Sequence, residues 1–242
     1  MPNKRFLIAA NWKMHSPPPG FDAADSPYKT ESAVDVAVFP SFIDLSRCIS
    51  AQLITGGQTG RPEPSGALTG DVSIAQLKTV GCRYVLCGHS ERRKNHGETD
   101  DYVAQQAIAA LEAGLHPIVC VGETADERKK GKQHDVVKKQ LKDIPSGIIV
   151  AYEPVWAISG GDPSKPAASA QDAQDMHAFI RSLLPDKAMR ILYGGSMNGK
   201  NCEELLKCPD IDGGLVGGAS LKPEEFKKIV EVAVALEKNY ES

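Results

Sequence analysis

The sequence lacks a long run of lysine and arginine, lacks any apolar stretch near the ~20 residues that a membrane helix needs, and is poor in aromatics. Its 28 Lys+Arg against 31 Asp+Glu leave a net charge of −3, so there is no electrostatic footprint for nucleic acid or for an anionic membrane. The six cysteines, Cys48, Cys82, Cys87, Cys120, Cys202 and Cys208, include no C-x-x-C pair. They read as reduced, mostly buried thiols, and no metal site is expected. There is no G-x-G-x-x-G fingerprint, hence no sign of a dinucleotide, and no cofactor is expected. Phe6–Ala10 is apolar, but Asn11 and Lys13 interrupt it well short of a secretion-signal core, which makes the cytoplasm the expected compartment. No polar linker, composition break or low-complexity tract divides the 242 residues, of which 41 % are hydrophobic, so one well-cored domain over 1–242 is expected.

What is present is an alternation of short apolar runs with longer amphipathic ones. The runs are Phe6–Ala10, Val34–Phe39, Leu53–Thr55, Tyr84–Cys87, Pro117–Val121, Ile148–Tyr152, Ile191–Tyr193 and Leu215–Val216. Several are continuously apolar, as parallel strands covered on both faces are. Between them, Val103, Ala107, Ala110 and Leu111 have helical spacing, as do Val137, Leu141 and Ile144, then Met176, Ile180, Leu183 and Leu184, and finally Phe226, Ile229, Val230 and Ala233. Eight strands alternating with helices predict an α/β fold of the (β/α)8 barrel type. The first crossover is the exception. Ser16-Pro-Pro-Pro-Gly20 and the segment to Thr30 carry breakers and no apolar stripe, which predicts a short or irregular first helix.

Unusual polar and glycine residues fall just after the predicted strands, and in a closed parallel barrel those positions converge on one mouth. Gly194-Gly195-Ser196 and Gly217-Gly218 follow the seventh and eighth strands, where bare backbone N–H groups approach an anion and a phosphate is the expected ligand. Either pair alone is also what an ordinary turn looks like. Glu153 precedes Pro154, which holds it extended, and apolar neighbours such as Ile158 and Leu215 are expected to raise its basicity by desolvation, as a general base requires. His89 opens the polar stretch Ser90–His96, a candidate short helix whose positive end disfavours the imidazolium and leaves a neutral donor to an oxyanion. Lys13 supplies a cation and Asn11 an amide donor. A surface salt bridge, a satisfied histidine and a snorkelling lysine are the plainer roles for Glu153, His89 and Lys13 taken singly. Together, one base, one neutral electrophile, one cation and a phosphate grip specify proton abstraction beside a carbonyl through an enediolate.

Asn11-Trp12-Lys13, Cys87-Gly88-His89-Ser90-Glu91-Arg92-Arg93, Val119-Cys120-Val121-Gly122-Glu123-Thr124, Ala151-Tyr152-Glu153-Pro154-Val155-Trp156-Ala157-Ile158, Tyr193-Gly194-Gly195-Ser196 and Leu215-Val216-Gly217-Gly218-Ala219-Ser220-Leu221 resemble the triosephosphate isomerase family, in the family's order and over nearly the whole chain. The pairing of a glutamate base with a neutral histidine is that family's known chemistry. The resemblance implies interconversion of dihydroxyacetone phosphate and D-glyceraldehyde 3-phosphate, an activity of glycolysis and gluconeogenesis. Glu153 would shuttle the proton, and His89 and Lys13, assisted by Asn11, would stabilise the enediolate. Glu91 resembles a carboxylate near Lys13, and Ser90 the hydroxyl that holds the base in the open state. Ser196, Gly217 and Gly218 would donate to the phosphate with an N–H of the sixth loop, placed at Ser159.

The departures are local. Ser159-Gly160-Gly161-Asp162-Pro163-Ser164-Lys165-Pro166 makes the sixth loop about four residues longer than the family's usual Gly-Thr-Gly-Lys tip, within the range of functional lids. Ala170 stands where the family has a hinge proline. The segments His15–Thr30 and Leu141–Gly147 are short, a matter for stability more than for chemistry. Gln58–Asp71 has the length of the family's dimer loop and keeps Gly66, Thr69 and Gly70, with Thr59 and Asp71 in place of its usual Asn and Glu. That implies a homodimer in which Thr69 buttresses Asn11 or Lys13 across the interface. A non-catalytic phosphate-binding barrel with an altered lid is the alternative. A barrel isomerase of amino-acid biosynthesis leaves the Asn11-Trp12-Lys13 and Glu153-Pro154-Val155-Trp156 runs unexplained.

Overall fold

Eight parallel strands are laid in the order β2-β1-β8-β7-β6-β5-β4-β3 in the computed structural model, which describes residues 5–30, 33–158 and 167–241. They are β1 (Leu7–Asn11), β2 (Asp35–Phe39), β3 (Gly56–Gly57), β4 (Tyr84–Cys87), β5 (His116–Val121), β6 (Ile149–Tyr152), β7 (Ile191–Tyr193) and β8 (Gly213–Val216). One parallel bridge, Val38 with Thr55, joins β2 to the approach of β3 and closes the ring, with Val38 N–H donating to Ile54 O at 2.8 Å. The fold is the expected (β/α)8 barrel.

Strand alternation explains why these runs are apolar throughout. Leu7, Ala9, Ala37, Phe39, Leu86, Ile118, Cys120, Ala151, Leu192 and Leu215 fill the barrel, while Ile8, Val36, Val38, Val85, Val119, Val150 and Ile191 pack outward under the surrounding helices. The helices are α1 (Leu45–Ser50), α2 (Ile74–Val80), α3 (Ser90–His96), α4 (Asp100–Glu112), α5 (Ala125–Lys129), α6 (Gln133–Gln140), α7 (Ala170–Leu183), α8 (Cys202–Leu206) and α9 (Pro223–Glu241). The longer ones follow the sequence periodicity. Thr99 caps α4, which buries Val103, Ala107 and Ala110; Ser169 caps α7, which buries Met176 and Ile180; Pro223 opens α9, which buries Phe226, Ile229 and Ala233. No helix among the described residues is long and apolar enough to cross a membrane.

Between β1 and β2 the described residues form no helix. Pro17, Pro18 and Pro19 remove donors, and the chain runs on through four-residue turns: Phe21 N–H to Pro18 O, Ala23 to Gly20, Ser26 to Ala23 and Lys29 to Ser26. Aromatic packing replaces helix packing there. Trp12 meets Phe21 and Tyr28 edge to face at 6.0 and 5.2 Å, and Tyr28 stacks on Phe226 at 4.9 Å. Such pairs contribute roughly 0.5–1.5 kcal/mol each beyond the area they bury. The expected irregular first crossover is therefore present, and its aromatics join the core shared by β1, β2 and α9.

Candidate active site

Lys13 and Asn11 come from the end of β1. Lys13 is one of two non-glycine residues at positive φ among those described, at +51°, a conformation that costs on the order of 1 kcal/mol and needs support from its surroundings. Two side-chain amides supply it. Asn11 Oδ1 accepts from Lys13 N–H at 3.0 Å, and Gln58 Nε2 donates to Lys13 O at 2.7 Å and to Phe39 O at 2.8 Å. So held, the lysine sends Nζ to within 2.6 Å of Glu91 Oε1.

His89 and Glu153 arrive from β4 and β6. Gly88 takes φ +68°, with Arg93 Nε donating to its carbonyl at 2.8 Å, and the chain turns directly into α3 with His89 as N-cap. The N–H of Glu91 donates to His89 Nδ1 at 3.2 Å, which places the proton of a neutral ring on Nε2. That nitrogen lies 2.9 Å from Glu153 Oε1 without hydrogen-bond alignment, while Oε2 accepts from Ser90 N–H at 2.7 Å. It is the main chain of Ser90 that makes this bond. Both side chains are buried. Glycines make the space for Glu153: a Cβ on Gly122 would lie 1.8 Å from Glu153 O, and one on Gly194 would lie 2.8 Å from Glu153 Cγ. Gly194 and Gly195, read from the sequence as phosphate contacts, thus have a steric task, since a Cβ on Gly195 would lie 2.3 Å from the Tyr193 hydroxyl.

The electrostatics reverse two expectations. Burial pushes the Glu153 carboxyl up, but His89 and then the Ser90 N–H favour its charged form, and the net direction is down. For His89, burial favours the neutral ring, yet the Glu153 carboxylate, with Glu91 behind it, more than offsets burial and the net direction is up. The sequence marks Glu153 as walled by apolar neighbours and His89 as opening a helix; it does not show that, without a ligand between them, each is the other's partner.

The end expected to take the phosphate is assembled from β7 and β8. Ser196 Oγ donates to Ala157 O at 3.0 Å, and Asn201 Nδ2 donates to Ser196 O at 2.9 Å. After β8, the turn Gly218–Leu221 is closed by Ser220 N–H to Gly217 O at 2.8 Å. A Cβ on Gly217 would lie 3.3 Å from Lys13 Cε, whereas one on Gly218 would meet nothing within 4 Å, so open space adjoins this turn beside the lysine. Ser159 lies outside the described residues.

A further constellation escaped the sequence reading. Glu123, fully buried, accepts from Trp156 Nε1 at 2.7 Å, from the Tyr152 hydroxyl at 3.1 Å and from Arg128 Nη1 at 3.2 Å. Arg128 also lies 4.4 Å over the Trp156 ring and pairs with Asp172 at 2.6 Å. Three donors on one buried carboxylate fasten the turn Val155–Ala157, which directly follows Glu153-Pro154. The available signal was Glu123 between a glycine and the α5 cap Thr124, with an arginine one turn on.

With this geometry in place, comparison with known proteins is specific. A model of the triosephosphate isomerase family matches residues 6–233. The chain is 43 % identical over 253 residues to the triosephosphate isomerase of Hydrogenovibrio crunogenus, covering 95 % of this chain and 98 % of that one. It is 43 % identical over 251 residues to that of Herminiimonas arsenicoxydans, covering 95 % and 100 %. It is 40 % identical over 254 residues to that of Thermus thermophilus, covering 95 % and 99 %. Barrel, mouth and relatives agree, and the chain belongs to the triosephosphate isomerase family.

Proposed function

We propose that the chain, as a single barrel domain over 1–242, carries out its family's reaction at the mouth described above, with Glu153 as the base. Substrate entering between His89 and Glu153 replaces their mutual contact. Without that partner, burial dominates, the proton affinity of Glu153 rises and His89 returns to the neutral ring that the Glu91 N–H favours. Glu153 then removes a proton from the carbon beside the carbonyl of dihydroxyacetone phosphate. The C–H electrons become the enediolate double bond, and the carbonyl oxygen takes the charge. His89 Nε2–H and the Lys13 ammonium stabilise that oxygen, and Asn11 orients it. The C1 hydroxyl proton passes to the C2 oxygen, with His89 Nε2 placed to relay it, and Glu153 returns its proton to the neighbouring carbon, so the carbon-to-carbon and oxygen-to-oxygen transfers together give D-glyceraldehyde 3-phosphate. Glu91 holds Lys13 in place, and Ser196, Gly217 and Gly218, with Ser159 of the sixth loop, grip the phosphate.

The observation that carries this reading is the 2.9 Å approach of a buried histidine to a buried carboxylate at one strand-end mouth, with a lysine coupled to the same α3 turn through Glu91. A steady-state assay of D-glyceraldehyde 3-phosphate conversion, run beside the Glu153→Gln variant, tests it. Turnover should fall by about 10²–10⁴ in the variant, the weight of a general base.

The working form is a homodimer in the cytoplasm. Supporting it, the loop Gln58–Asp71 exposes Glu63–Ala67 and Thr69–Asp71, and Met14 and Ile43 are apolar residues left 94 % and 88 % exposed. Thr69 would reach the second copy's Asn11 or Lys13. Six free cysteines suit a reducing compartment. Light scattering at micromolar protein should give twice the chain mass; a fully active monomer would contradict the dimer.

A further inference from the structure

We infer that Tyr28 is a positioning residue for the phosphate-binding turn: its hydroxyl donates to Ser220 O at 2.8 Å and holds Gly217 and Gly218 toward the mouth. The inference rests on the phosphate assignment made above. The turn is rigid within itself, because the Ser220 N–H and its hydroxyl both donate to Gly217 O, at 2.8 and 2.7 Å. From outside, the Tyr28 hydroxyl is the shortest tie to it among the described residues; the Ser220 hydroxyl, whose one proton goes to Gly217 O, lies 3.5 Å from Asn11 O. Tyr28 is well fixed to serve as an anchor. Its ring is fully buried, stacked on Phe226 with planes 18° apart and set edge to face against Trp12. Burial also pushes the phenol up, so it stays a donor across any working pH. Because the first crossover forms no helix among its described residues, this bond is how that irregular segment registers on the phosphate side of the barrel.

The test uses the full chain, with inorganic phosphate as a competitive inhibitor against D-glyceraldehyde 3-phosphate. Tyr28→Phe keeps the ring and removes only the hydroxyl. It should raise the inhibition constant and KM together by about three- to tenfold, the weight of one net hydrogen bond, with kcat within twofold of the original. Phe226→Leu, which loosens the stack and leaves the hydroxyl, should lower Tm and leave the inhibition constant unchanged. An unaltered constant and KM in Tyr28→Phe would overturn the role, as would an equal rise in Phe226→Leu, which would assign the effect to packing. Failure of phosphate to compete with substrate in the unmutated protein would overturn the phosphate assignment and this inference with it.

Discussion

Two stretches leave strand ends for the same mouth and do so by different means. After β4, one glycine turns the chain at Gly88, His89 caps α3, and within four residues the site has both His89 and Glu91. After β1, the chain delivers Asn11 and Lys13 just as promptly, then runs through turns held by Trp12, Phe21 and Tyr28. Both segments place a functional group, and only one needs a helix. The strand end and the few residues after it therefore carry the proposed chemistry, whereas the outer layer fixes stability, and it does so with aromatic packing as well as with a helix.

If that division holds, substitutions in the two segments should separate rate from stability. His89→Gln replaces the proposed imidazole donor by an amide of different reach and should cost about 10²–10³ in kcat, a larger loss of rate than of stability, read by steady-state kinetics and thermal melts on the same preparation. Phe21→Ala should do the opposite. Truncating that buried ring should cost about 3 kcal/mol and lower Tm by roughly 6–12 °C, with kcat within twofold. A larger loss of rate than of stability in Phe21→Ala would break the division.

The smallest effect contrasts two buried histidines. His177, between the rings of Tyr152 and Tyr193 and with Nε2 unpartnered, is pushed down by burial from the ordinary 6.5 to about 3. The unfolded chain then binds the extra proton, so stability falls as pH drops below 6.5, at about 1.4 kcal/mol per pH unit. His89, raised by its Glu153 partner, has the opposite sign: its contribution is complete below 6.5 and is lost as pH rises through its raised value. Glu153, lowered, contributes above its ordinary 4.5 and is lost on acidification through its lowered value. Urea melts from pH 4.5 to 8 should show a flatter acid limb in His177→Phe and a flatter alkaline limb in His89→Gln. The same slope changes in both variants would contradict the assignment.

Much of this was legible in the sequence, for reasons that can be named. Strands buried on both faces announce themselves as unbroken apolar runs, and Glu153, His89 and Lys13 are marked by sitting at their ends. The third strand, read at Leu53–Thr55, reaches the bridge of Thr55 to Val38 but stops short of Gly56–Gly57, which carries no apolar signal: a Cβ on Gly56 would lie 2.3 Å from Phe39 Cε1, and one on Gly57 would lie 2.4 Å from Leu77 Cδ1. The eighth, read from Leu215, begins at Gly213, where φ is +138° and a Cβ would lie 2.0 Å from Leu7 O. In both cases the neighbours fill the space that a side chain would need. The protonation directions at Glu153 and His89 were illegible for a different reason. They depend on a distance between residues 64 positions apart in the sequence, and composition carries no such distance. Glu123 was missed likewise, because its three donors come from β6, the turn Val155–Ala157 and α5.

The central claim is that one buried carboxylate at the mouth moves a carbon-bound proton. Running the isomerisation in deuterium oxide and reading the product by NMR tests it most directly. The account predicts deuterium at the carbon beside the carbonyl in the product molecules for which the Glu153 proton exchanges with solvent before its return, and loss of both turnover and label in Glu153→Gln. Label or undiminished turnover retained in the variant would contradict it.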